Sequence, residues 1–203
     1  GELVSSAIAR AAKKTGMPDG VFSNLNSSDS EVGQLLTMHP KIKGVGFTGS
    51  TNGGMALYRL ASARKEPIPV FAEMGSINPV VVLPSALEQK GAEWAAQYAG
   101  SIVLGAGQFC TNPGLILGIK GQDLDSFIAT LGTEIEKLEP TCMLHPNIYA
   151  GYEKGKKELS SQPKTAEVAS FKGDVAPNFG EQKILTVAAK DFLDNPVLHK
   201  EVF

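Results

Sequence analysis

GVGFTGSTNGGMALYRLASAR, residues 44–64, runs from apolar sequence through a glycine-rich turn into helix-like sequence. KGVGFTG reads as a buried strand, and STNGGMALYRLASAR as a turn followed by a helix. The pattern repeats downstream. PIPVFAEM and NPVVVLP are strands, ALEQKGAEWAAQYAGSIVLGAG is a long helix rich in small residues, LILGIKG is a strand, and LDSFIATLGTEIEKL is an amphipathic helix. Strands alternating with helices of this length predict an α/β fold with parallel, helix-covered sheets. Upstream, residues 2–14 carry Leu3, Ala7, Ile8 and Ala11 at helical spacing, ended by Gly16 and the turn Pro18-Asp19-Gly20. VFSNLN is a short strand candidate, and Asp29 or Ser30 is placed to cap a helix through Val32, Leu35 and Leu36. Residues 145–180 are polar, helical at YEKGKKELSS and loop-like beyond it, and no internal repeat is evident.

Composition narrows the function. The 203 residues are 42% hydrophobic and 20% charged, as in an ordinary globular protein, with a formal net charge of −2. That balance argues against a nucleic-acid or membrane-surface partner, either of which favours a basic excess. No apolar run is long enough to cross a bilayer. Cys110 and Cys142 are too few for a disulfide scaffold, and His39, His145 and His199 lie far apart, so no metal site is expected. A cytoplasmic protein is the expectation.

Three stretches can carry chemistry. In GFTGSTNGG, residues 46–54, a strand passes into a helix through small residues, where backbone N–H groups and a helix N-terminus can hold a phosphate. It is neither a full GxGxxG nor a P-loop, and a purely structural turn reads the same way. In AEMGS, residues 72–76, Glu73 ends an apolar strand at the carboxyl edge of a sheet, where it serves as a general base or as an exposed strand-end carboxylate. In GQFCTNP, residues 107–113, Cys110 sits where the chain changes direction. A nucleophile needs such access, but free cysteines are more often small buried residues. Cys142, beside Pro140 and Met143, reads as structural.

Together, "FTGS", "EMGSINP" and "GQFCTNPG", followed by a final "HKEVF", resemble the aldehyde dehydrogenase superfamily in order and in spacing. The wording is closest to the branch that oxidises 2-oxoglutarate semialdehyde (2,5-dioxopentanoate) or aliphatic aldehydes, with NADP as cofactor and NAD as the alternative. Three positions depart from the family's usual pattern. Ser76 stands where a second glycine is common, Met74 where leucine is usual, and Gly105 where asparagine is often found.

The resemblance implies that the Cys110 thiolate attacks a small-molecule aldehyde and that Glu73 activates the water that releases the acid. It also implies that Gly49 and Ser50 contact the cofactor pyrophosphate and that Glu201 holds the ribose beside the nicotinamide. Residues 1–72 would form the C-terminal half of the dinucleotide-binding domain, and residues 73–203 most of the catalytic domain. Beginning at Gly1 in helix-like sequence and stopping at Phe203, the chain reads as a fragment of a homo-oligomeric parent. As such it is expected to lack a complete cofactor site, to be inactive alone, and to expose apolar surface. Two other readings compete: a non-catalytic module of the family, and a cysteine hydrolase or acyltransferase. The last requires a His or Asp/Asn partner for Cys110 that the sequence does not present.

Overall fold

A computed structural model describes residues 1–27 and 29–202, which divide into two compact units, Gly1–Met74 and Gly75–Phe203. In the first unit the elements are α1 (Glu2–Lys14), α2 (Glu31–Met38), β1 (Val45–Gly49), α3 (Thr51–Ser62) and β2 (Val70–Met74). Strands β1 and β2 pair in parallel, with Thr48 opposite Glu73 and Gly49 opposite Met74. Parallel neighbours need a crossover, and α3 supplies it. It lies close to the sheet because Gly54 has no side chain, since a Cβ there would come 2.3 Å from the Met74 sulfur. The buried Arg64 guanidinium donates to the Thr37 carbonyl at 2.8 Å, tying the region after α3 to the end of α2. VFSNLN forms no strand. Its apolar residues Phe22 and Leu25 stay exposed, and among the described residues no strand offers its backbone a ladder.

The second unit runs β3 (Pro79–Val82), α4 (Pro84–Val103), β4 (Leu115–Gly118), α5 (Gln122–Lys137), β5 (Thr141–Cys142), α6 (Pro146–Ser160), β6 (Ala166–Ser170), β7 (Phe179–Gly180), β8 (Lys183–Thr186) and α7 (Ala189–Asp194). Strands β3 and β4 are parallel, as the βαβ pattern predicts. The pairs β5–β7 and β6–β8 are antiparallel and lie partly in the stretch read as loop.

The core of this unit is a helix–helix seam. Leu87, Gly91, Ala95 and Ala99 form one ridge of α4, spaced four apart, and Phe127, Leu131 and Ile135 form a matching ridge of α5. Small residues on α4 leave room for large ones on α5, so Phe127, Leu131 and Ile135 are almost fully excluded from solvent. Tyr98 meets Phe127 edge-on, with ring centroids 6.4 Å apart. The buried Gln182 amide donates to the Leu138 carbonyl and to the Ile135 carbonyl, which also accepts the Leu138 N–H, and so completes the bonding at the end of α5. Phe127→Ala is expected to destabilise this unit by about 3–5 kcal/mol, through lost transfer energy plus a cavity. Trp94, the chain's single tryptophan, packs against the same cluster and reports the loss in a denaturant titration.

On α6, the Tyr152 hydroxyl donates to the Glu181 carbonyl, and burial pushes its phenol pKa up to about 12. An unfolded tyrosine ionises near pH 10, at about two units lower, so the folded state holds this proton more tightly. The resulting stabilisation is complete below about pH 10 and is lost as pH rises towards about 12. Ultraviolet titration of the tyrosines should show a late component that Tyr152→Phe removes.

Candidate active site

At the carboxyl end of β1 the chain turns sharply into α3. A Cβ on Gly49 would lie 2.8 Å from the Phe47 ring and one on Gly53 would lie 3.0 Å from it, so the glycines let the ring sit close against the turn. Ser50 is the N-cap of α3, its hydroxyl oxygen accepting the Gly53 N–H at 3.2 Å. The first helical N–H groups, of Thr51 and Asn52, have no partner among the described residues, as the start of a helix dictates. Open donors, a helix dipole and missing side chains fit the pyrophosphate of a dinucleotide. Glu73 is exposed on β2, level with Thr48, so its carboxylate and the Gly49–Ser50 turn share the carboxyl edge of β1–β2. The partly apolar setting expected for Glu73 is limited to its own strand, where Phe71 shares its exposed face.

In the second unit, Cys110 occupies a built loop. Helix α4 ends at Val103, and Gly105, Ala106 and Gly107 then take φ of 59°, 58° and 74°. Left-handed backbone is free for glycine, but for Ala106 it costs about 1 kcal/mol. The glycine at 105 also leaves room for the Phe109 ring, which would come 2.3 Å from a Cβ there. Beyond this reversal, the Asn112 N–H donates to the Phe109 carbonyl at 2.9 Å, closing a four-residue turn with Cys110 and Thr111 at its centre.

Side chains lock that turn from several directions. Asn112 Nδ2 donates to the Ile102 carbonyl at 2.7 Å, and Gln108 Oε1 accepts the Leu144 N–H at 3.0 Å. The Cys110 carbonyl accepts two hydrogen bonds, from Ser76 Oγ at 2.6 Å and Asn78 Nδ2 at 2.7 Å. Asn78 Nδ2 also reaches the Asn112 carbonyl at 2.9 Å. Ser76 contributes a further bond, its N–H donating to Glu201 Oε1 at 2.8 Å. Cys110, Ser76, Asn78 and Glu201 therefore form one connected group. Phe203, the last residue of the "HKEVF" stretch, lies outside the described residues.

Both cysteines are free and exposed. Cys142 sits on β5, with Asn178 Nδ2 3.4 Å from its sulfur, outside the network that holds Cys110. Among the described residues, no hydrogen bond joins Cys110 to His145 or His199, the histidines of its own unit. His39 Nδ1 accepts the Lys41 N–H, His145 Nδ1 caps α6, and His199 Nε2 bonds the Phe192 carbonyl. A cysteine hydrolase built on a Cys–His pair is not favoured. A cavity of about 170 Å³ flanks the loop beside Ile102, Gly107, Asn112 and Gln182, and Cys110 is not part of its wall.

Sequence reasoning noted Ser76 only as a departure and passed over Asn78, Asn112 and Gln108. A signal was available, because Asn78-Pro79 and Asn112-Pro113 are twin Asn-Pro steps, each beside a chain reversal. Asn side chains readily bond nearby backbone in such places.

The exposed cysteine on its hydrogen-bonded loop marks a candidate nucleophile in a parallel α/β fold, and comparison with known proteins gives the family. Residues 1–160 match the model of the aldehyde dehydrogenase family, and the chain belongs to it. Family members are oxidoreductases that use NAD(P). The chain is 44% identical over 202 residues to alpha-ketoglutaric semialdehyde dehydrogenase 2 of Azospirillum brasilense, covering 100% of this chain and 38% of that protein. It is 39% identical over 203 residues to the alpha-ketoglutaric semialdehyde dehydrogenase of Acinetobacter baylyi, with the same coverage of 100% and 38%. The chain thus spans under two fifths of the length of these curated relatives. Among solved structures, a NAD-dependent benzaldehyde dehydrogenase from Corynebacterium glutamicum superposes with a TM-score of 0.73 at 20% identity, over 91% of this chain and 41% of that one. At that identity the match speaks for the fold. No helix among the described residues is long and apolar enough to cross a membrane.

Proposed function

We propose that this chain carries the nucleophile and the general base of an aldehyde dehydrogenase acting on 2-oxoglutarate semialdehyde, with NADP preferred over NAD. The observation that carries the reading is the free, exposed Cys110 at the centre of a turn pinned through its own carbonyl. The two relatives named for this activity, matched along the whole chain, support the substrate. A cofactor-binding role for residues 1–72 and a catalytic role for residues 73–203 are supported by a break between compact units two residues later, after Met74, which leaves Glu73 at the end of the first unit.

The Cys110 thiolate adds to the aldehyde carbonyl carbon, forming a C–S bond and an oxyanion beside the backbone N–H groups of the turn. NAD(P), when bound, would supply the hydride acceptor, and loss of hydride from the adduct leaves Cys110 carrying a thioester. Glu73 takes a proton from a water molecule whose oxygen attacks the thioester carbon. The C–S bond breaks, the carboxylic acid departs and the thiolate returns. Gly49 and Ser50 would hold the pyrophosphate at the start of α3. Glu201 accepts the Ser76 N–H with one carboxylate oxygen, and its carboxylate would hold a ribose hydroxyl.

The enzyme works in the cytoplasm, a placement supported by two free thiols. It works as a homo-oligomer. Light scattering on the natural full-length protein tests the assembly, with a monomer as the contrary result. Initial rates of nicotinamide reduction test the substrate. The kcat/KM for 2-oxoglutarate semialdehyde should exceed that for benzaldehyde by at least about tenfold, and NADP should outperform NAD at equal concentration. Preference for benzaldehyde would contradict the substrate assignment.

A further inference from the structure

We propose that Ser76 is a positioning residue that couples Glu201 to the nucleophile loop, an inference that rests on reading Cys110 as the nucleophile. Two adjacent groups of one residue point to opposite partners. The Ser76 N–H donates to Glu201 Oε1 at 2.8 Å, and its hydroxyl donates to the Cys110 carbonyl at 2.6 Å. Asn78 Nδ2 lies 3.0 Å from Ser76 Oγ, and because its two hydrogens also serve the Cys110 and Asn112 carbonyls, this contact is a shared one. With its lone pairs facing Asn78, the hydroxyl sends its own hydrogen to Cys110.

The bond to the carbonyl, beside the one from Asn78, helps to fix the Cys110–Thr111 peptide, and with it the Cα from which the sulfur projects. Nucleophilic attack depends steeply on placement, with a misplacement of about 1 Å costing up to about a hundredfold in rate. A glycine at this position would keep the N–H bond to Glu201 and lose the hydroxyl bond to Cys110. The two tethers are therefore separable by mutation, and the hydroxyl belongs to the serine alone.

Ser76→Ala removes only the hydroxyl tether, and Ser76→Thr retains a hydroxyl. In the natural full-length protein, Ser76→Ala should lower kcat by about tenfold while leaving KM for aldehyde and for NAD(P) within about twofold. Ser76→Thr should recover kcat to within about threefold of the wild type. A second readout does not depend on turnover. With iodoacetamide, the ratio of Cys110 to Cys142 alkylation should change by at least about threefold in Ser76→Ala and return in Ser76→Thr.

Wild-type kcat and an unchanged alkylation ratio in Ser76→Ala would overturn the proposal. So would a loss of kcat accompanied by lowered Tm and not rescued by threonine, since that describes a structural serine. Cys110→Ser, assayed beside them, separates the two levels. If it keeps activity, the nucleophile assignment fails. If it is inactive while Ser76→Ala behaves as wild type, only the positioning role fails.

Discussion

Cys110→Ser is expected to lower kcat for aldehyde oxidation by at least about 10⁴-fold, while Cys142→Ser stays within about threefold of the wild type. The contrast comes from surroundings, because both thiols are free and exposed. Cys110 sits at the centre of a turn closed by the Asn112 to Phe109 bond and fixed by Ser76 and Asn78. Cys142 sits on a two-residue strand, its sulfur facing the Asn178 amide. A serine oxygen at position 110 preserves the turn, since every bond named there uses backbone or other side chains. Loss of rate with an unchanged Tm is therefore the expected pattern.

Glu73→Gln is expected to lower steady-state turnover by about 10²–10⁴-fold, the range for removing a general base. Its effect should fall on hydrolysis of the thioester and leave the first attack intact. A rapid burst of reduced nicotinamide, near one equivalent per site, should then precede a slow steady state. Glu73 is exposed near the end of β2, so the amide should cost little stability. Stopped-flow absorbance distinguishes this outcome from a slowed burst, which would place Glu73 in the first step instead.

The elements that were legible in the sequence are those whose own side chains encode them. Helix α5 shows its buried ridge at a four-residue interval, and β1, β2 and β3 are apolar runs bounded by Gly or Pro. Strands β6 and β8 were hidden because their pairing is made at a distance. AEVAS is short and mixed, and only the antiparallel ladder to Lys183–Thr186, with its irregularity between Glu167 and Ala169, makes it a strand. VFSNLN has the converse history: Val21, Phe22 and Leu25 suit a strand, but among the described residues it pairs with none. The site divides the same way. Glu73, Cys110, Gly49 and Ser50 stand out through local context. The hold of Ser76 on Cys110 and Glu201 spans separations of 34 and 125 residues, which local pattern does not reveal.

The most direct test of Cys110 as the acyl carrier is peptide mass spectrometry on Glu73→Gln, quenched in acid after mixing with 2-oxoglutarate semialdehyde and NADP. A mass increase equal to the acyl group on the peptide containing Cys110, dependent on cofactor and absent from the Cys142 peptide, is the predicted result. An acyl group on any other residue, or a burst of reduced nicotinamide with Cys110 unmodified, would contradict it.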